Sequence, residues 1–197
     1  MFKLMWVHGM PAWEIVGLPD ISIKESKERV RTAIKNSGLE FPSRRIVVNL
    51  APADSRKEGP FFDLPIAIGI LIATEVICNT NINNYAFIGE LSLDGKINKV
   101  QGILPMCIEA KRLGIEKIII PEENSAEASV VNGLDIMPTK TLIDVIAHLN
   151  GVQSLEKAIP NSNELFSKNK KYKFDFSDVR GQENIKRALE ISAAGRT

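Results

Sequence analysis

The sequence predicts an α/β (α+β) fold in which helices pack on a mixed sheet. Two kinds of segment alternate along the chain. Short segments with alternating or continuous apolar residues are typical of strands, and longer segments have apolar residues at helical spacing. A hairpin pattern stands between these segments and adds an antiparallel pair. Helices that connect successive strands favour parallel neighbours elsewhere in the sheet.

The first predicted helix covers residues 21–36 and follows a predicted strand over 12–16. Asp20 or Ser22 would cap its first turn. Its apolar stripe consists of Ile23, Val30, Ala33 and Ile34. Basic side chains occupy much of the remaining surface, namely Lys24, Lys27, Arg31 and Lys35, with Glu25 and Glu28 between them. We interpret this surface as a solvated helix face with internal ion pairs, in preference to a nucleic-acid site.

A polar loop then connects a predicted strand over 46–50 to a long apolar helix over 62–77. Helix N-termini carry unpaired backbone N–H groups, so a loop in this place suits an anion site or an activated nucleophile. Three carboxylates flank the loop: Asp54, Glu58 and Asp63. We expect them to accept hydrogen bonds in the loop or to cap the helix, in preference to acid–base catalysis.

The second half of the chain continues the alternation of strands and helices. It predicts a hairpin over 85–100 with a type I′ turn at Asp94-Gly95, a helix over 103–113, a strand over 117–120, a helix over 122–131, a strand over 134–137 and a helix over 141–149. We therefore predict one domain over residues 1–150, which begins inside strand-like sequence and is expected to lack its first strand or strands. A polar linker is predicted over 151–173, and residues 174–197 resemble the start of a further domain.

Composition excludes several classes of function. A net charge of +1 gives no overall attraction to nucleic acid or acidic lipid. The longest apolar run is interrupted by Thr74 and Glu75 and is too short to span a bilayer, so we expect no membrane partner. Cys78 and Cys107 are expected to be buried thiols in a reducing cytoplasm. His8 and His148 stand alone, so we predict no metal site and no catalytic triad.

Three motifs resemble the Lon-type proteolytic domain, whose nucleophile loop reads P-K-D-G-P-S-A-G. They are Arg56-Lys57-Glu58-Gly59-Pro60-Phe61-Phe62-Asp63, Gly89-Glu90-Leu91-Ser92-Leu93-Asp94-Gly95-Lys96, and Gly114-Ile115-Glu116-Lys117-Ile118-Ile119-Ile120-Pro121-Glu122-Glu123-Asn124. The resemblance extends over about residues 46–149. It implies the ribosomal protein S5 domain 2-like fold of that family.

The departures from the Lon pattern concern its catalytic dyad. A Ser–Lys dyad needs a hydroxyl nucleophile and a lysine of lowered pKa within hydrogen-bond reach. Phe61 occupies the nucleophile position, and Leu104 and Met106 occupy the two candidate lysine positions. Ser55 and Lys57 are nearby, but we interpret them as solvated loop residues. We therefore predict that the chain has no catalytic residues and does not cleave peptides.

A closer resemblance covers nearly the whole chain and identifies it as a member of the YifB/ComM family of magnesium-chelatase-like AAA+ ATPases. The motifs are Gly17-Leu18-Pro19-Asp20, Lys24-Glu25-Ser26-Lys27-Glu28-Arg29-Val30-Arg31, Asn49-Leu50-Ala51-Pro52-Ala53-Asp54, Arg56-Lys57-Glu58-Gly59 and Phe62-Asp63-Leu64-Pro65. In that family the complete protein is a hexameric ATPase that promotes DNA branch migration in natural transformation.

The segment over 176–183 resembles the one that opens the AAA+ module. The resemblance implies that Val179, Arg180, Gly181 and Gln182 line an adenine pocket in the complete protein, where ATP and Mg²⁺ would be the cofactors. The chain has no G-x-x-x-x-G-K-[ST] phosphate loop. We therefore expect no cofactor to bind to this part of the protein alone.

We predict a non-proteolytic scaffold and interaction domain whose partners are its own AAA+ module, neighbouring subunits and DNA. Four basic residues are the candidates for phosphate contacts: Arg44, Arg45, Arg56 and Lys57. Two alternatives stay open. One is an ATP-dependent Lon-like peptidase with an atypical nucleophile, and the other is a subunit of a magnesium chelatase.

Overall fold

The computed structural model describes residues 2–7 (as backbone), 12–51, 57–78, 82–159 and 178–194. The chain divides into two compact units, Met1–Asn161 and Ser162–Thr197. The described elements of the first unit are β1 (Phe2–Val7), β2 (Trp13–Val16), α1 (Ile21–Asn36), β3 (Arg45–Leu50), α2 (Asp63–Ala73), β4 (Tyr85–Phe87), β5 (Glu90–Leu91), β6 (Ile97–Asn98), α3 (Ile103–Arg112), β7 (Lys117–Pro121), α4 (Ser125–Ala128), β8 (Asp135–Thr139) and α5 (Leu142–Leu149). The described part of the second unit contains α6 (Glu183–Ala194).

The strands form two three-stranded sheets and a short hairpin. In the first sheet β3 is central, with β1 antiparallel and β2 parallel to it. In the second sheet β7 is central, and both β4 and β8 run parallel to it. β5 and β6 pair antiparallel in a separate hairpin. The predicted mixed α/β class is confirmed, with its strands distributed over these separate sheets.

The apolar core consists of two clusters that meet at β7. Ile118 and Ile120 belong to the cluster that includes α3, whereas Ile119 belongs to the cluster that includes α1, β3, α2 and α5. Successive side chains of a strand point to opposite faces, so β7 is buried on both sides, as is usual for a strand inside a parallel sheet.

Helix α1 has the predicted bounds. Asp20 caps it, because Oδ1 of this residue accepts a hydrogen bond from the backbone N–H of Ile23 at 2.8 Å. The predicted stripe is fully buried at Ile23, Val30, Ala33 and Ile34. The prediction for this helix is therefore confirmed, and the cap is Asp20, not Ser22.

Two predicted helices are shorter than expected. The segment predicted over 62–77 begins with a 3₁₀ turn at Pro60–Phe62 and ends as a helix at Ala73. It ends there because Glu75 adopts a left-handed φ of 60°. The segment predicted over 122–131 contains a 3₁₀ turn at Glu122–Asn124 and the four residues of α4.

The hairpin prediction over 85–100 is wrong in extent and in turn type. β4 leaves the hairpin and pairs with β7, so the hairpin is formed by β5 and β6 alone. A type I′ turn needs positive φ at both central residues, but Gly95 has a φ of 84° and Asp94 does not have a positive φ. Instead, Ser92 and Lys96 close a three-residue loop through an N–H···O bond of 3.0 Å.

The two cysteines have different environments. Cys107 is buried, and this burial raises the pKa of its thiol to about 11. Cys78 is exposed, so the prediction that it is buried is wrong. The reason is the early end of α2, which places Cys78 beyond the helix. Among the described residues, no helix has the length and apolar character needed to cross a bilayer.

The first nine residues of the predicted linker over 151–173 belong to the first unit. The N–H of Leu155 donates to Nδ1 of His148 at 3.1 Å, and the N–H of Ala158 donates to the carbonyl of Ile136 at 2.8 Å. The remainder of the linker up to residue 173, and the beginning of the segment 174–197, lie outside the described residues. The domain boundaries proposed from the sequence stay a prediction.

Candidate functional site

The loop that precedes α2 is held against the start of α1. The N–H of Lys57 donates to the carbonyl of Leu18 at 3.2 Å, and the N–H of Asp20 donates to the carbonyl of Lys57 at 3.1 Å. Oδ2 of Asp20 accepts a further hydrogen bond from the N–H of Gly59 at 3.1 Å. Asp20 therefore caps α1 with one carboxylate oxygen and anchors the loop with the other.

Gly17 allows this arrangement because a side chain would not fit in its place. Its φ is 105°, and a Cβ built on it would lie 2.2 Å from the carbonyl oxygen of Leu50. The close approach joins the turn after β2 to the end of β3. The sequence motif Gly17-Leu18-Pro19-Asp20 thus has a structural explanation at its first and last residues.

Gly89 supports the 3₁₀ turn Pro60–Phe62 from the opposite side. Its N–H donates to the carbonyl of Phe61 at 3.2 Å, and its carbonyl accepts from the N–H of Leu64 at 3.0 Å. A Cβ on Gly89 would lie 2.6 Å from Cγ2 of Ile97. The turn is consequently held to Gly89 by main-chain hydrogen bonds at Phe61 and, just after the turn, at Leu64.

A buried ion pair joins α1 to the first residue of α2. The carboxylate of Asp63 is fully buried and accepts from Nε of Arg29 at 2.6 Å and from Nη2 of Arg29 at 3.1 Å. The N–H of Leu91 donates to the same carboxylate at 3.1 Å. Nη2 of Arg29 also donates to the carbonyl of Ser22 at 2.9 Å and to Oγ of Ser26 at 3.1 Å.

The ion pair with Arg29 accounts for most of the hydrogen bonds that the Asp63 carboxylate accepts. The hydrogen bond to Asp63 raises the pKa of Arg29, so the guanidinium stays charged, and the carboxylate is occupied by three donors. Asp63 accepts hydrogen bonds as predicted, but from α1 and β5, and it makes no side-chain cap on its own helix. Sequence reasoning missed Arg29, although its spacing of four from Ala33 places it at the edge of the buried stripe.

A cavity of about 380 Å³, the apolar hollow, opens beside the 3₁₀ turn Pro60–Phe62. It is lined by Leu50, Ala51, Lys57, Phe61, Phe62, Pro65, Phe87, Ile88 and Met106. The structure therefore brings together Phe61 and Met106, two of the three positions that correspond to the Lon dyad. Leu104 is not part of this lining, and its N–H donates to Oε1 of Glu127 at 3.4 Å.

The lining of the apolar hollow sets its chemistry. Nζ of Lys57 is the single side-chain nitrogen among the nine lining residues, and none of them carries a hydroxyl group. Nucleophilic catalysis requires a nucleophile and a base in hydrogen-bond contact. Apart from Lys57, the lining offers contact surface for apolar groups. Ser55 lies outside the described residues.

A second cavity, the basic groove, lies at the opposite end of β3. It has a volume of about 210 Å³ and is lined by Ala12, Trp13, Arg31, Lys35, Phe41, Pro42, Ser43 and Arg44. The rings of Trp13 and Phe41 are 5.1 Å apart, and Cζ of Arg31 lies over Phe41 at 5.8 Å from the ring centroid. The lining contains three cations and no carboxylate.

The structure divides the four residues predicted to contact phosphates. Arg44 lines the basic groove, whereas Arg45 pairs with Glu14 at 3.2 Å. Lys57 lines the apolar hollow at the other end of β3. The two ends of this strand are about 17 Å apart, because an extended chain rises about 3.4 Å per residue. Arg56 lies outside the described residues. Arg44 is instead accompanied by Arg31 and Lys35, which the sequence suggested were part of a solvated face.

The residues predicted to line an adenine pocket lie at the start of α6 in the second unit. Val179, Arg180, Gly181 and Gln182 are all exposed, and none of them lines the cavities described above. Within the described ranges, no three His, Cys, Asp or Glu side chains come together as a metal site requires.

Comparison with known proteins identifies the family. Residues 3–124 match the family model described as subunit ChlI of Mg-chelatase. The chain belongs to this family. It is 41% identical over 192 residues to competence protein ComM of Haemophilus influenzae. This alignment covers 96% of this chain and 37% of that protein. It is 42% identical over 187 residues to the uncharacterized protein YifB of Escherichia coli, which covers 95% of this chain and 36% of that protein.

These matches confirm the predicted membership of the YifB/ComM group of magnesium-chelatase-like AAA+ proteins. The chain spans slightly more than a third of the length of these relatives. A more distant relative is Lon protease 2 of Bacillus subtilis, which is 32% identical over 147 residues and covers 71% of this chain and 26% of that protein. The ChlI-type chain is thus also related to Lon proteases.

Proposed function

We propose that this chain is a non-proteolytic scaffold and interaction domain of a ComM/YifB-type AAA+ ATPase. The observation that carries the proposal is that Phe61 and Met106 both line the apolar hollow. A Ser–Lys peptidase needs a hydroxyl and an amine in the corresponding positions. A phenyl ring and a thioether supply neither a nucleophilic oxygen nor a base.

The partners in this proposal are the AAA+ module of the same protein, neighbouring subunits in a hexamer, and DNA. The role that we propose is DNA processing, including branch migration during natural transformation. Similarity to a protein named competence protein ComM supports a role in competence. ATP and Mg²⁺ would bind to the AAA+ module, where Val179, Arg180, Gly181 and Gln182 would form one wall of the adenine pocket. The free thiols of Cys78 and Cys107 suit the cytoplasm as the compartment.

Peptide cleavage by the full-length protein tests the absence of proteolysis. A fluorescent casein is incubated with the full-length protein, with and without ATP, beside a Lon protease as the positive control. We expect no ATP-stimulated cleavage. The rival peptidase is favoured by the amine of Lys57 in the apolar hollow. ATP-dependent cleavage that is lost in the Lys57→Met variant would establish that rival and overturn the proposal.

A chelatase role is the other rival, and the description of the matching family model favours it. Insertion of Mg²⁺ into protoporphyrin, followed by absorbance, tests it directly. We expect no insertion by the full-length protein, since the proposal assigns the chain to DNA processing. Insertion of Mg²⁺ that depends on this chain would show that the protein is part of a chelatase and would refute the proposal.

DNA binding tests the second part of the proposal. Because phosphate contacts release counterions, the affinity for DNA should fall steeply as salt rises. The substitutions Arg44→Gln and Arg45→Gln should each weaken binding, with Lys99→Gln as a control at an exposed lysine that lines neither cavity. An absence of DNA binding by the full-length hexamer at low salt would refute this part.

A further inference from the structure

We propose that the basic groove binds single-stranded DNA, with bases stacked beside Trp13, Phe41 and Arg31 and phosphates held by Arg31, Lys35 and Arg44. This inference rests on the proposed function, since it specifies where and in which form the chain engages DNA. It adds Trp13, Arg31, Lys35 and Phe41 to the residues proposed from the sequence.

The charge of the basic groove points to a polyanion. Arg31, Lys35 and Arg44 are all exposed, and the lining that they share contains no carboxylate. This concentration is local, because the whole chain has a net charge of only +1. Carboxylates near the lining include Glu14, which pairs with Arg45, and Glu75, which lines the neighbouring cavity. Glu40 directly precedes Phe41, and Glu28 lies one helical turn before Arg31 on α1.

The aromatic side chains point to unpaired bases. The Trp13 and Phe41 rings are in contact, and the guanidinium of Arg31 covers Phe41. Proteins that bind single strands combine a positive groove with aromatic side chains and Arg planes on which bases stack. In a duplex the faces of the bases are covered by their neighbours, so a stack of this kind favours single strands. An acidic peptide would use the cations but would gain nothing from the rings.

The size of the basic groove favours one unit of a polymer over an enclosed small molecule. Its volume of about 210 Å³ is below the range of about 300–1,000 Å³ that is usual for small-molecule pockets. A neighbouring cavity of about 430 Å³ shares Pro42, Ser43 and Arg44 and extends to Ala73–Glu75 at the end of α2. A strand that leaves the groove can therefore continue along this path.

A pair of charge-matched variants on one helix tests the cations. Arg31→Gln/Lys35→Gln removes two charges from the basic groove, whereas Lys24→Gln/Lys27→Gln removes two charges from positions of α1 that do not line it. Binding of a fluorescein-labelled oligothymidylate to the 197-residue chain is followed by anisotropy. We expect a loss of affinity of about tenfold in the first variant, a smaller one in the second, and a decrease of about 1.4 in the salt slope of the first variant, from 0.7 per phosphate contact.

The fluorescence of Trp13 tests the stacking. The chain has two tryptophans, so Trp6→Phe leaves Trp13 as the single reporter. We expect oligothymidylate to quench it, while duplex DNA and polyglutamate do not. Phe41→Leu keeps an apolar side chain but removes a ring, and its affinity for the oligonucleotide should fall about fivefold or more. Circular dichroism confirms that each variant is folded.

The outcomes separate this inference from the proposed function. If both charge variants lose affinity equally, or if the Trp13 signal does not respond, DNA contacts another surface and the inference is wrong, while the proposed function stands. If polyglutamate quenches Trp13 and displaces the oligonucleotide, the basic groove is a site for acidic peptides. If neither the chain nor the full-length hexamer binds any DNA, both the inference and the proposed engagement of DNA are refuted.

Discussion

The two ends of β3 differ in how their polar groups are used. At the Leu50 end, the carboxylates of Asp20 and Asp63 accept hydrogen bonds from the protein itself, and the cavity there is almost entirely apolar. At the Arg45 end, exposed cations line a cavity beside two aromatic rings. The polar groups at the Leu50 end are therefore used within the fold. The residues that we propose to bind DNA lie at the Arg45 end.

Breaking the Arg29–Asp63 pair should have the largest effect on stability. Removal of one partner leaves the other charge buried without compensation, so Arg29→Met or Asp63→Asn should lower the free energy of unfolding by about 3–5 kcal/mol. Urea denaturation measures this change. The double variant Arg29→Met/Asp63→Asn should lose less than the sum of the two single variants. If Asp63→Asn were neutral in stability, the Leu50 end would not be organised by this pair.

Gly17→Ala should have the next largest effect. The left-handed φ costs about 1–3 kcal/mol for a residue with a side chain, and the approach to the Leu50 carbonyl adds a clash. Gly38→Ala is the matched control, because Gly38 has a φ of 78° and nothing lies within 4 Å of its built Cβ. The difference between the two melting curves reports the clash together with the extra backbone cost of a φ of 105° compared with 78°. Equal losses would show that the backbone conformation, and not the contact with β3, requires glycine at position 17.

Phe61→Ser sharpens the comparison by separating stability from DNA binding. Phe61 is half-buried, so its loss should lower the free energy of unfolding by about 1 kcal/mol. Phe61→Leu should lose less because it keeps most of the apolar contact. Oligonucleotide affinity should stay within twofold of the wild type in both variants. A tenfold loss of affinity in Phe61→Ser would show that the two ends of β3 act together.

The pH dependence of stability should show the smallest effect, and it tests the environment of His148 beside the second sheet. Burial, together with the charge of Lys117, lowers the pKa of His148. Below about pH 6.5 the unfolded chain then binds more protons than the folded one, so this contribution to stability is complete above about pH 6.5 and is lost as the pH falls from there through the lower pKa of the folded state. Protonation of Nδ1 would also break the hydrogen bond from Leu155. His148→Gln should flatten this part of the stability profile without changing oligonucleotide affinity. An unchanged slope would assign the pH dependence to other groups.

Much of the fold could be predicted from local patterns. The bounds of α1 follow from its cap, its apolar period and the glycine after it, all of which act within a few residues. The sequence predicts too long a hairpin because the pairing of β4 with β7 depends on tertiary contacts, and the alternation within a strand does not specify which strand it pairs with. The early end of α2 depends on one left-handed residue, Glu75, which composition does not reveal.

The candidate site also has a part that the sequence predicts and a part that only the structure shows. Phe61 and Met106 could be aligned with a catalytic pattern, and the structure brings them together. The basic groove could not be found in this way, because Trp13, Arg31, Phe41 and Arg44 come from three separate segments. On α1 alone, Arg31 and Lys35 look like ordinary solvated residues. Only the approach of the 41–44 loop turns them into a wall of a cavity.

The support that Gly89 gives to the turn at Phe61 has a consequence for how such domains change over time. Both hydrogen bonds are made by the main chain, so they do not depend on which side chain stands at position 61. A lineage can exchange a reactive residue there for an inert one and keep the same backbone path. The architecture can then persist without its original chemistry and serve another function.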